Sequence, residues 1–227
     1  MTPAVDVHRY PDAAELAGAL SQALAKQLQA ALLARGRASL VVSGGSTPAL
    51  LFRHLRQVPL AWERVSITLA DERWVDAGNP ASNENMVRRE LLRDAAACAT
   101  FLPLKNSAAS AQAGAVAAWA PIAPLCPFDV VILGMGDDGH TASLFPGSPG
   151  LAAAMDAQAQ PGCVAMTAPV EPRERLSLNL AALLNVRHLY VHFTGEAKWL
   201  LWQVAGDLPM GLTLRRSTSR PQLYWSP

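Results

Sequence analysis

The chain has 227 residues, of which 51% are apolar and only 16% charged, and its formal net charge is +1. That composition excludes a disordered chain, and the charge balance excludes a broad basic surface for nucleic acid or for a membrane. The length predicts a single domain over residues 1–227 with room for a sizeable core.

The elements run in chain order. Residues 12–35 are rich in Ala and Leu, lack Pro and end at Gly36, which predicts a helix with a glycine stop. ASLVV at 38–42 is a short buried strand. SGGSTP comes next, with Thr47 as N-cap and Pro48 at the first position of a helix over 48–57. VSITLA at 65–70 alternates and is β-branched, hence a strand, with Asp71-Glu72-Arg73 at its end. Ser82 caps a helix to about residue 93, 101–102 is a short strand, and 107–119 is a second Ala-rich helix. FDVVIL at 128–133 is the clearest buried strand, and LGMGDDGHTASLFPG leads out of it. Residues 163–167 are a strand, 176–184 a helix, 188–194 a strand and 196–205 a helix, with 222–225 as a last edge strand. The segment 121–127 is a loop too short to separate domains.

Strand–helix alternation predicts an α/β fold: an open, mainly parallel, doubly wound sheet, Rossmann-like, with helices on both faces. Ligands of such sheets sit outside the carboxyl ends of the strands. Four polar clusters each come directly after a predicted strand, at 43–48, 71–73, 134–140 and 194–198, so all four should meet on one rim.

Gly134, Gly136 and Gly139 match the G-x-G-x-x-G pattern of a dinucleotide-binding turn. The surroundings do not suit one. The strand is a middle one, Pro146-Gly147 leaves no room for a long helix, and no acidic strand end stands some 20 residues on. The same glycines also allow a sharp turn that aims the residues behind them. His140 is the general base of the chain by residue type, and Asp138, two positions earlier, can orient it or bind a substrate hydroxyl. An isolated D-G-H would be ordinary turn chemistry; beside three other rim clusters it predicts a site.

Gly44, Gly45, Ser46 and Thr47 offer backbone N–H groups, two hydroxyls and a helix N-terminus, the makings of an anion cradle, though the same residues suit a plain βα turn. Pro48 stands where a nucleophile elbow needs glycine, which removes support for a serine hydrolase. Lys198, Arg73 and Arg175 can each bring positive charge to the rim, Arg175 from the start of the 176–184 helix. Asp137 reads as a solvated residue. Cys98, Cys126 and Cys163 are widely spaced and lack C-x-x-C, and the five histidines lack H-x-x-x-H spacing; neither set forms a disulfide framework or a metal site. No basic leader runs into an apolar stretch, and no apolar run approaches the ~18 residues that span a bilayer. The expected location is the cytoplasm. The sequence carries no mark of an oligomeric state.

The chain resembles the glucosamine-6-phosphate deaminase/6-phosphogluconolactonase family along essentially its whole length. The resemblance rests on VVSGGSTPALLFRHL, ADERWVDAGNPASNENMVRREL, FDVVILGMGDDGHTASLFPGS, RERLSLNLAALLN and TGEAKWLLWQ, five blocks in order. It is closer to the lactonase branch. Arg73 stands where deaminases have an aromatic, and TASLFPGS replaces a stretch in which deaminases carry a functional glutamate. The resemblance implies hydrolysis of 6-phosphoglucono-1,5-lactone without cofactor or metal. His140 would be base and Asp138 its partner. Gly44, Gly45, Ser46, Thr47 and Lys198 would hold the phosphate, and Asp71 a substrate hydroxyl. Arg73 and Arg175 would add charge at the phosphate or at the carbonyl oxygen. The alternatives are a deaminase-like isomerase and a non-catalytic sugar-phosphate sensor.

Overall fold

The computed structural model describes residues 5–227; the first four residues, where the leader reading begins, lie outside it. The elements are β1 (Asp6–Arg9), α1 (Ala13–Arg35), β2 (Ala38–Val42), α2 (Pro48–Leu55), β3 (Val65–Leu69), β4 (Asp71–Arg73), α3 (Asn83–Glu90), β5 (Thr100–Leu102) and α4 (Ala111–Trp119). They continue as β6 (Phe128–Leu133), α5 (Leu151–Ala154), β7 (Cys163–Thr167), β8 (Glu174–Leu178), α6 (Leu180–Leu184), β9 (Val186–Thr194), α7 (Glu196–Val204), α8 (Pro209–Arg216) and β10 (Gln222–Ser226).

Seven strands form a parallel sheet in the order β1-β10-β9-β6-β2-β3-β5. The expected α/β architecture is therefore present. β2 and β6 are buried at every position, which a strand covered on both faces requires, and their Val, Leu, Ile and Phe side chains suit it. Helix α1 lays Leu16, Leu20, Leu24 and Leu28 into the core at a spacing of one turn. The Asp12 side chain accepts the N–H groups of Ala14 and Glu15, and Gly36, at φ 69°, ends the helix in the left-handed conformation that suits glycine. The chain runs outward from β2 through β3 to β5, then returns to place β6 on the other side of β2. The order reverses between β2 and β6, and a crevice opens at such a reversal.

A second sheet was not anticipated. β4, β8 and β7 pair antiparallel, in that order. The residues 71–73, expected at the end of the 65–70 strand, form a strand of their own in this second sheet. The expected helix over 176–184 is corrected to β8 and then the short helix α6. Leu176 and Leu178 sit on the two-residue period of a strand, and Asn179 starts the helix by accepting the Ala182 N–H. Arg175 consequently lies within a strand. The two sheets meet at Ala70, whose N–H donates to the Val42 carbonyl at 2.8 Å while its own carbonyl accepts the Leu178 N–H at 2.9 Å.

Further differences are local. β10 lies between β1 and β9 and is not an edge; β1 takes the edge. Thr47 has helical dihedrals and its side chain makes no cap bond, so Pro48 begins α2 without one. α8 arises in a tail with no recognisable signal, and Met210 donates its N–H to the Gly139 carbonyl at 3.0 Å. The helices foreseen over 48–57, 82–93 and 107–119 are shorter than expected. No helix among the described residues is long and apolar enough to cross a membrane.

Candidate active site

A cleft of about 330 Å³ opens at the carboxyl ends of the parallel strands. All four polar clusters contribute to its wall. Gly44, Gly45, Ser46 and Thr47 come from the loop after β2, Asp71 and Arg73 from β4, and His140 from the loop after β6. Arg175 comes from β8, and Lys198 from the first turn of α7. Asp138 is not in the wall; it stands behind His140.

The glycines of the β6 loop shape the histidine. A Cβ on Gly136 would lie 2.0 Å from the His140 Cε1 and 2.1 Å from Nδ1, so the imidazole occupies the space that any side chain there would fill. Gly139 has φ 77°, and a Cβ there would meet Leu208 at 2.5 Å. The loop closes by the Gly136 N–H donating to the His140 carbonyl at 2.9 Å. Asp138 Oδ1 accepts the His140 backbone N–H at 3.0 Å and lies 2.5 Å from ring Nδ1. Burial pushes the Asp138 carboxyl up, but the hydrogen bonds and charge of His140 outweigh it and hold the group below its ordinary value. With Nδ1 engaged, Nε2 is the nitrogen left for a ligand. Phe145 packs on the imidazole, with ring centroids 4.4 Å apart.

Three cationic side chains line the same cleft. Arg73 and Arg175 are direct cross-strand partners in the β4–β8 pair. Like charges so placed repel. Arg175 is buried, and its guanidinium is held below its usual range by burial first and by Arg73 second. Its Nε donates to the Pro172 carbonyl at 2.6 Å, and Arg73 Nη1 donates to the Ala81 carbonyl at 2.5 Å. Arg73 Nε is buried without a hydrogen-bond partner. Two adjacent guanidiniums at one cleft can supply the charge and the forked donors that an anion accepts. Lys198 reaches the mostly exposed Asp137 at 3.5 Å.

Carboxylates fix the frame. Glu72 is fully buried and accepts from the N–H groups of Arg73, Asn83 and Glu84 and from Ser82 Oγ, at 2.7–3.0 Å. It thereby anchors the start of α3. Burial pushes its carboxyl up, and the hydrogen bonds pull against that. Asp71 accepts from Ser143 Oγ at 2.6 Å, and its carbonyl accepts from Asn83 Nδ2 at 2.8 Å. Asn83 in turn fills the space over Gly44, where a Cβ would fall 1.9 Å from Oδ1. Gly45 has φ 103° and needs its lack of a side chain for that reason alone. Ser43 Oγ ties the loop after β2 to the end of β6 by donating to the Ile132 carbonyl at 3.2 Å.

Several wall residues carried no signal in the sequence. Asn83 sits three positions before an apolar pair in what looks like plain helix, Phe145 looks like core, and His192 looks like a polar position in an alternating strand. The useful hint for His192 was its place near the carboxyl end of a strand, the same rule that gathered the other clusters. Among the described residues no group of three or more His, Cys, Asp or Glu side chains is placed to hold a metal ion.

Comparison with known proteins agrees over the whole chain. The family model described as glucosamine-6-phosphate isomerases/6-phosphogluconolactonase matches residues 11–215. A 6-phosphogluconolactonase of Rhizobium meliloti is 41% identical, covering 98% of this chain and 99% of its own. One of Pseudomonas aeruginosa is 45% identical, covering 86% of this chain and 82% of its own. The crystal structure of a 6-phosphogluconolactonase from Shewanella baltica superposes with a TM-score of 0.94 at 41% identity, covering 100% of both chains. The chain belongs to the glucosamine-6-phosphate isomerase/6-phosphogluconolactonase family.

Proposed function

We propose that the protein hydrolyses 6-phosphoglucono-1,5-lactone to 6-phosphogluconate, with His140 as the general base. The observation that carries this reading is the Asp138–His140 pair, whose imidazole lines one cleft together with the cross-strand arginines Arg73 and Arg175.

Asp138 holds the tautomer with hydrogen on Nδ1, which leaves the Nε2 lone pair for a water molecule. His140 takes a proton from that water as its oxygen bonds to the lactone carbonyl carbon. The carbonyl electrons move onto oxygen, giving a tetrahedral oxyanion. When the oxyanion collapses, the bond to the ring oxygen breaks and the imidazolium returns its proton to that oxygen. The products are a free hydroxyl and a carboxylic acid, which loses its proton to solvent at neutral pH and leaves as the carboxylate. Arg73, Arg175, Lys198 and the N–H groups of the Gly44–Thr47 loop bind the phosphate and offset the charge that develops on the carbonyl oxygen. Asp71, fixed by Ser143 and Asn83, receives a sugar hydroxyl.

The deaminase alternative lacks its acid. The stretch after His140 holds Ser143 on Asp71 and Phe145 on the imidazole, and contains no glutamate. A sensor would keep the anion cradle without the oriented base. The test is the loss of freshly made lactone over its spontaneous rate, with wild type beside His140→Ala. Acceleration by wild type that falls in a variant still binding 6-phosphogluconate supports the reading; no acceleration by folded wild type overturns it.

A further inference from the structure

His192 takes no part in these proton transfers, yet it lies in the cleft wall. In the parallel sheet Val42, Ile132 and Tyr190 are neighbours on one row across β2, β6 and β9. Side chains two residues further on project to the same face. Continued past the ends of β2 and β6, that next row would hold Gly44 and Gly134 in the loops and His192 within β9. Two of its three members have no side chain. A Cβ added to Gly134 would find only the His192 carbonyl oxygen within 4 Å, at 3.9 Å, so the space before it is open. The imidazole is therefore the one side chain of this row at the cleft.

The ring is chemically unusual for its place. His192 is 5% exposed, and burial alone pushes it down to about 4, with no hydrogen bond or neighbouring charge contributing. It is a neutral imidazole at ordinary pH, with one N–H donor and one lone pair. Phosphate oxygens only accept, and the cleft already meets them with Arg73, Arg175, Lys198 and loop N–H groups. A hydroxyl both donates and accepts, which matches a neutral imidazole.

We propose that His192 binds a ring hydroxyl of the sugar lactone and so sets which sugar the cleft accepts. This rests on the lactonase reading. A site built to bond a hydroxyl rejects the analogue that lacks it, because its own polar atoms are left unpaired.

The experiment compares wild type, H192F and H192Q on 6-phosphoglucono-1,5-lactone and on its analogues lacking the hydroxyl at carbon 2, 3 or 4. H192F keeps the ring shape and removes both polar atoms; H192M replaces it should H192F not fold. The expected result is a loss of roughly 10- to 100-fold in kcat/KM for H192F, in the range of one to two hydrogen bonds. H192Q restores most of it. With one of the three deoxy lactones, wild type suffers the same loss and H192F loses nothing more. Equal kcat/KM for wild type and H192F overturns the proposal, as does a loss of the same size on every deoxy lactone. If wild type turns over none of these lactones, the lactonase reading falls and this proposal with it; if wild type is active and H192F matches it, only the role of His192 falls.

Discussion

Asp138 Oδ1 serves His140 twice, accepting the backbone N–H at 3.0 Å and facing ring Nδ1 at 2.5 Å. One oxygen thus fixes both the turn and the imidazole that the turn carries. The His140→Ala variant is expected to lower kcat by roughly 10²–10⁴-fold, the usual range for a general base. Asp138→Asn leaves the imidazole in place but weakens a charge-assisted bond, and about 10- to 100-fold is expected from a bond of that kind. Initial rates above the spontaneous background measure both; an Asp138→Asn variant with wild-type kcat would remove Asp138 from the mechanism.

Gly136 gives a sharper test of ring position. A methyl group there collides with the imidazole, a side chain that can swing away, so folding should be little affected while His140 is displaced. Gly136→Ala is expected to approach His140→Ala in kcat with a melting temperature close to wild type. Gly139→Ala behaves in the opposite sense. Its φ of 77° and its contact with Leu208 disfavour any side chain, and a destabilisation of about 1–3 kcal/mol is expected. Thermal melts and kcat, measured together on both variants, separate the two outcomes.

The facing arginines predict anion-dependent stability. Inorganic phosphate or 6-phosphogluconate should raise the melting temperature, because each binds only the folded state. Arg73→Met is expected to abolish most of that rise and to raise KM by roughly 10- to 100-fold, as expected for hydrogen bonds to a charged group. Its own unliganded melting temperature should not fall much, because the variant also relieves repulsion with Arg175. A variant with an unchanged phosphate shift would place the anion elsewhere.

Acid stability has a separate source. Hydrogen bonds from Arg53 and Arg89 hold the Glu90 carboxyl at about 2, below its ordinary 4.5. An acid whose folded value is depressed adds stability above its unfolded value and loses it as pH falls through the folded one. The stability advantage of wild type over Glu90→Gln should therefore be full above pH 5 and fade between about 4.5 and 2. The arginine partners are largely exposed, so added salt should shrink it. Melting curves of the two proteins from pH 7 to pH 3 decide; a constant gap would contradict the ion pairs.

Much of the site was legible because strand ends announce themselves. ASLVV, VSITLA, FDVVIL and HLYVHFT are largely apolar runs that stop at Ser, Asp, Gly or Thr, and the rule for parallel sheets places the segments after them on one rim. The small sheet was illegible for the opposite reason. β4 has three residues, too few for a period, and in β8 the leucines at 176 and 178 merge with those of α6 into one apolar run. Only Asn179 marks the break. Arg175 therefore looked like a helix start, and its pairing with Arg73 depends on a register between strands some hundred residues apart. Asn83 and His192 were hidden because their roles depend on distant glycines. β1 and α8 were missed since four residues and a polar tail offer no pattern of their own.

Ala70 belongs to both sheets, to the large one through its N–H and to the small one through its carbonyl. His140 follows a strand of the parallel sheet and the paired arginines lie in the antiparallel one, so the span between them is gauged in part across this one residue. Inserting or deleting a residue here would leave each ladder intact by itself and throw the two halves of the chemistry out of step. The alanine with no functional group of its own is thus a spacer between the two halves of the cleft.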